Sequence, residues 1–167
     1  IDTSGSMIRG GSKFNPILIA ISLGMYIAER NEGIFKDAFI TFNTTPNMLS
    51  IAGNTLAERV DNIQSAPWGG TTNFELSFDL ILNAAIKHNL PEEEMPTMVL
   101  ALSDMQFNQA EGGKGTAFAR IREKYKASGY KMPKLVFWNV VTDGSNFPVT
   151  KNEENAAMIS GFSPSVI

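Results

Sequence analysis

The sequence predicts an α/β fold: a doubly wound, mostly parallel open sheet with one antiparallel edge strand and helices on both faces. Three observations carry this. Strand-like and helix-like segments alternate through most of the 167 residues. One connection, 44–47, joins two strand-like runs and is too short for a parallel crossover. Met98-Val99-Leu100-Ala101-Leu102 is an unbroken apolar run, as a strand covered on both faces requires.

Taken in order, the chain opens on Ile1-Asp2-Thr3-Ser4-Gly5-Ser6, the end of a buried strand breaking into a loop. Asp2, Ser4 and Ser6 place three oxygen donors within five residues. In an extended segment their alternation would aim all three side chains the same way. A helix is expected to about Arg30, with Asn15 as N-cap and Pro16 at its first position. Its core stripe is Ile17, Leu18, Ile21, Met25 and Ala28; Ile19, Leu23 and Ile27 are apolar too, so burial on most sides is expected. Strands at 37–43 and 48–51 flank the Thr44-Thr45-Pro46-Asn47 turn as an edge hairpin.

Asn54 is expected to cap the next helix, with Leu56, Val60 and Ile63 inward. Trp68-Gly69-Gly70-Thr71-Thr72 is a tight loop before a helix whose stripe is Phe74, Phe78, Ile81, Leu82 and Ala85. His88 sits at the end of that helix as a solvated side chain, and Glu92-Glu93-Glu94 is a solvated turn. After the 98–102 strand, a helix at 114–128 turns Phe118, Ile121 and Tyr125 inward and stops at Gly129. Strands follow at 135–141 and 156–160. Ser163-Pro164 has the form of a helix start.

The totals bound the function. One domain spanning 1–167 is large enough for a core of its own. It is expected to be part of a longer chain, with its first strand and last helix truncated. Hydrophobic residues at 43% and charged residues at 19% are ordinary for a globular domain. A net charge of −3 argues against non-specific nucleic-acid binding. With no cysteine there is no thiolate nucleophile and no cysteine metal site. No apolar run approaches the ~18 residues of a membrane span. An intracellular protein (cytoplasmic, nuclear or virion-associated) with no membrane partner is expected.

In open α/β sheets ligands bind beyond the carboxyl ends of the strands, where the strand order reverses. Three polar segments begin at such places: Asp2 to Ser6, Gly69-Gly70-Thr71-Thr72-Asn73, and Ser103-Asp104. Together they resemble the metal-ion-dependent adhesion site (MIDAS) of von Willebrand factor A (vWA) domains. That site combines D-x-S-x-S, a Thr in a Gly-containing loop and an Asp after the fourth strand. Here Thr72 and Asp104 lie 70 and 102 positions after Asp2, similar to the family's order and spacing. The wording Trp68-Gly69-Gly70, Leu102-Ser103-Asp104-Met105-Gln106-Phe107 and Ser160-Gly161-Phe162 resembles a narrower branch, DUF2828, related to the A-domain half of Ro/TROVE RNA-associated proteins.

The resemblance implies Mg²⁺, or Mn²⁺, as the cofactor. Ser4 and Ser6 would ligate it through their hydroxyls, Asp2 and Asp104 directly or through water, and Thr72 in a ligand-bound state. It implies a non-catalytic module that captures a carboxylate, or a phosphate, on a protein partner. Met7, Trp68, Gly70, Thr71, Met105 and Phe107 stand near the site, as an apolar rim for that partner or as packing for the loops. Several readings compete. Thr72-Asn73-Phe74-Glu75 is also a capping box, with Thr71 as the alternative ligand. Asp143 in Thr142-Asp143-Gly144 rivals Asp104 in wording but lies too far along the chain. A phosphoryl-transfer enzyme with Asp2 as nucleophile would need an acid two residues on, where Ser4 stands. A ribonucleoprotein component of the Ro/TROVE kind would bind RNA through regions outside this chain.

Overall fold

The computed structural model describes residues 1–8, 15–41, 45–67, 74–105, 114–141 and 156–161. Its elements are α1 (Gly5–Ile8), α2 (Pro16–Ala28), β1 (Ala38–Thr41), β2 (Asn47–Ser50), α3 (Leu56–Gln64), α4 (Phe74–His88), β3 (Met98–Ser103), α5 (Lys114–Ala127), β4 (Lys134–Asn139) and β5 (Ala156–Ser160). Two short 3₁₀ turns, Gly33–Phe35 and Glu92–Glu94, complete them.

β1 and β2 pair antiparallel, Ala38 opposite Ser50 and Thr41 opposite Asn47. β3, β4 and β5 pair parallel, in the order β3-β4-β5. Residues 1 and 2 bridge the two groups. The Ile1 nitrogen donates to Ile40 O at 2.9 Å, and the Asp2 N–H donates to Leu102 O at 2.9 Å. The lateral order is therefore β2, β1, the Ile1-Asp2 segment, β3, β4, β5. On one side of Ile1-Asp2 the strands run back toward the hairpin, on the other forward to β5, which makes this the reversal point of the sheet. Behind Ile1, a cleft of about 820 Å³ runs between β1 and β3, with Ile27, Phe39, Ile40, Val99 and Leu100 in its walls.

The two-residue period of the strands sorts the side chains into two cores. Val99, Ala101, Leu135, Phe137 and Met158 pack with α4 and α5 through Phe78, Ile81, Ile121 and Tyr125. Leu100, Leu102, Trp138 and Ile159 pack with α2 and α3 through Ile17, Ile21 and Ile63. The hairpin follows the same rule: Ile40 and Met48 join the first core, Phe39 and Leu49 the second. This is the doubly wound arrangement with helices on both faces.

Local chemistry explains the boundaries. Asn15 caps α2, accepting from Ile17 N–H, with Pro16 in the first turn. Gly129 has φ +81, a left-handed stop that a side chain would strain. Across α4 and α5, Tyr125 Oη donates to Phe78 O at 2.9 Å, Arg120 pairs with Glu75, and Lys124 pairs with Glu75 and Asp79.

Four expectations need correcting. Thr55 caps α3, not Asn54: its hydroxyl accepts from Glu58 N–H while Glu58 returns to the cap backbone. Leu56 therefore falls at the start of the helix and is 68% exposed, leaving Ile63 as the buried anchor. Leu18 is exposed because the core-facing stripe of α2 runs through Ile17, Ala20, Ile21, Met25 and Ala28. β4 ends at Asn139, whose side chain accepts from Val141 N–H and turns the chain out of the sheet.

These assignments carry a stability contrast. Ile63→Ala should destabilise the fold by roughly 2–5 kcal/mol through lost transfer energy and a cavity, whereas Leu56→Ala should stay within about 0.5 kcal/mol. Urea unfolding of the two variants checks this; equal losses would place Leu56 back in the core.

Candidate metal centre

Asp2 sits where β3 changes from apolar to polar. Leu102 belongs to the α2–α3 core, and the next two residues, Ser103 and Asp104, are buried polar groups. The Asp2 carboxylate is itself 1% exposed and is held from both ends. Ser4 N–H donates to Oδ1 at 2.9 Å, and Ser103 Oγ donates to Oδ2.

The first of those bonds reshapes the loop. An Asp side chain accepting from the N–H two residues on makes an Asx turn, and the chain leaves its extended course at Ser4. Met7 N–H then donates to Ser4 O at 3.1 Å, and α1 begins. Strand alternation, expected to align Asp2, Ser4 and Ser6, stops after Asp2. A helical turn brings the two serines together instead, with their hydroxyl oxygens 3.0 Å apart and hydrogen-bonded.

That spacing fits a hard cation. Adjacent ligands of an octahedral Mg²⁺, each 2.0–2.1 Å from the ion, stand about 3 Å from one another. Ser4 and Ser6 are half-buried. Among the described residues each oxygen of the Asp2 carboxylate accepts a hydrogen bond, and a carboxylate oxygen has a second lone pair with which to meet an ion or a bound water. Among the described residues no three Asp, Glu or His side chains converge. A cation here would rest on hydroxyls and few charges.

Electrostatics point the same way. Burial pushes the Asp2 carboxyl above its usual range, and the Asp104 charge adds to the rise. The hydrogen bonds from Ser103 and Ser4 oppose the rise without cancelling it. Two acidic side chains from different segments are thus brought within each other's field.

The other expected site residues divide into two groups. Thr72, its rival Thr71, Trp68, Gly70 and Phe107 lie outside the described residues, as do Asp143 and Ser163-Pro164. Met7 and Met105 are described and are not rim residues. Met7 is 0% exposed and packs in the α2–α3 core; Met105 is 2% exposed and packs in the α4–α5 core. Each pins a site loop to one face of the sheet. Of the capping-box reading, Glu75 is described, and its carboxylate accepts from Arg120 of α5.

Two residues of the predicted segments have roles that the sequence reading did not assign. Ser103 is fully buried and joins Asp2 to the loop after β3. Thr3 is 2% exposed, and its hydroxyl has no hydrogen-bond partner among the described residues. The available signal was a hydroxyl at the end of an apolar strand, which also fits a plain turn former.

Comparison with known proteins gives the wider setting. The family model described as "Domain of unknown function (DUF7788)" matches residues 1–167, in place of the DUF2828 branch suggested by the local wording. The protein L728 of Acanthamoeba polyphaga mimivirus is 38% identical over 169 residues; the match takes in 100% of the chain and 29% of L728, so the chain spans less than a third of that relative. Among solved structures, the Deinococcus radiodurans RO (RSR) protein aligns with a TM-score of 0.63 at 17% identity, over 98% of the chain and 31% of that protein. The SpRpn10 VWA domain aligns with a TM-score of 0.51 at 15% identity, over 98% of the chain and 86% of that domain. At these identities the likeness is one of fold, and the fold is vWA-like.

The Asp2 environment sets a pH dependence. Its folded-state value lies above the ordinary 3.8, so just above 3.8 the folded protein holds a proton that the unfolded chain releases. This contribution favours the fold below 3.8 and is lost as the pH rises through the folded value. In EDTA, the stability of the wild type relative to Asp2→Asn should therefore increase as the pH is lowered from about 7 to about 4. Urea unfolding across that range measures the gap; a gap that narrows on acidification contradicts the assignment.

Proposed function

The chain belongs to the DUF7788 family along its whole length, and from that premise we propose that it is a non-catalytic, divalent-cation-dependent binding module of the vWA kind. The observation that carries this reading is the pair of serine hydroxyls, 3.0 Å apart, beside a buried carboxylate at the reversal point of the sheet.

On this reading Mg²⁺ or Mn²⁺ is held directly by Ser4 and Ser6. Asp2 and Asp104 contact it directly or through water, and Thr72 joins when a partner is bound. Held mainly by neutral oxygens, such an ion would keep much of its charge uncompensated. A carboxylate, or a phosphate, from a protein partner completes its coordination with a charge-assisted contact. In the partly desolvated setting of Asp2 that contact is worth more than in water.

The same geometry argues against phosphoryl transfer. An Asp nucleophile needs a free carboxylate oxygen facing substrate and an acid beside it. The position two residues after Asp2 is a serine, bonded to Ser6, and supplies no such acid.

Isothermal titration with Mg²⁺ and Mn²⁺ tests the reading. The wild type should bind one ion. Asp2→Ala should abolish binding, and Ser4→Ala with Ser6→Ala should weaken it at least about tenfold while the circular dichroism spectrum is kept. No binding by the wild type, or binding untouched by these variants, sinks the proposal. Turnover of a generic aryl phosphate that is lost in Asp2→Asn would overturn the non-catalytic part alone.

A further inference from the structure

We infer that Ser103 is a positioning residue of the cation site: its single hydroxyl fixes the Asp2 carboxylate and the turn that carries Asp104 in one arrangement. The inference rests on the proposed cation-binding reading and adds a residue that ligates nothing.

Ser103 is the last residue of β3 and is 0% exposed. Its backbone is committed to the sheet, pairing with Asn139 of β4 and accepting from Val140 N–H at 3.1 Å. The side chain is thereby held at one place. Its Oγ donates to Asp2 Oδ2 and accepts from Met105 N–H at 3.0 Å. One hydroxyl has one proton and two acceptor lone pairs. With the proton on Asp2, the acceptor side serves the backbone two residues ahead, closing a Ser turn around Asp104.

That turn is not one the sequence favours. Met105 has φ +64, a left-handed conformation that few non-glycine residues adopt. Two contacts over-determine it: the Ser103 Oγ bond to its N–H, and the burial of its side chain in the α4–α5 core. The residue between the bonded pair is Asp104, so the course of the backbone through Asp104 is set by Ser103. At the same time Ser103 orients the carboxylate of Asp2, from a segment 101 positions away. An alanine would leave both carboxylates in the protein and remove the part that registers one against the other.

In metal sites generally, groups that only orient the ligands change affinity by about 10–100-fold when removed. Titration of Mn²⁺ and Mg²⁺ into the wild type, Ser103→Ala and Ser103→Thr, with circular dichroism and thermal unfolding in EDTA, tests the role. Ser103→Ala should bind the ion about 10–100-fold more weakly, and Ser103→Thr, which keeps the hydroxyl, should recover most of the loss. A merely structural role predicts lower thermal stability with unchanged affinity in the folded protein, and that result overturns the inference. Should Ser103→Ala not fold, Ser103→Cys, close in size and a weaker donor, takes its place; wild-type affinity there is equally fatal. A wild type that binds no cation overturns the functional reading and this inference with it. A wild type that binds while Ser103→Ala matches it overturns this inference alone.

Discussion

The structure depends on the tie that residues 1 and 2 make between its two halves. The hairpin of β1 and β2 and the parallel group of β3 to β5 have no ladder in common. Ile1 bonds to Ile40 on one side and Asp2 to Leu102 on the other. Those two bonds close the sheet where its strand order reverses. The same backbone that joins the halves carries the first acidic side chain of the site, so the fold cannot be assembled without bringing Asp2 beside the end of β3.

Placing a carboxylate there is costly. An ion taken out of water loses on the order of several kcal/mol of solvation even after the protein relaxes. Two hydrogen bonds from Ser4 and Ser103 return part of this, yet burial still holds the Asp2 carboxyl above its usual range. The remainder is an unmet demand for positive charge. Natural folds keep such demands mainly where they are used. β4, by contrast, closes on the neutral Asn139, which serves Val141 N–H.

Much of the fold was legible in the sequence because it is written in periodicity. The α4 stripe and the inward face of α5 follow helical spacing, and the apolar run at 98–102 sits between two helical layers. Phe118, Ile121 and Tyr125 are buried as their spacing requires. Leu18 was set on the wrong side of the α2 stripe; the other errors fell where periodicity gives way to hydrogen-bond choice. Asn54 and Thr55 are both good caps, and what decides between them is Glu58, which lies three residues after Thr55 and not after Asn54. At the site, the residue types of Asp2, Ser4, Ser6 and Asp104 were legible, but not how they meet. The serines come together through an Asx turn and a helical turn, and no pattern of hydrophobic residues announces either. For Met7 and Met105 the sequence left rim and loop packing both open, and their burial decides for packing. They sit beside site residues in sequence, yet a turn sends each into the core on one side of the sheet.

That pair of methionines shows how packing adds to the hydrogen bonds that hold the described start of each loop. Met7 follows Ser6 and is buried against α2; Met105 follows Asp104 and is buried against α4 and α5. In both of these segments a polar residue thus stands next to an apolar anchor in sequence. The anchor's burial, roughly 1.5–3 kcal/mol for such a side chain, is independent of whether a ligand is present. Residues fixed in this way do not have to be ordered by the partner, and ordering side chains and loops is a main cost of binding. A site of few charges gains most from such preorganisation. Its attraction for a partner rests on one ion and a few oxygens, and any energy spent on gathering them would be lost from affinity.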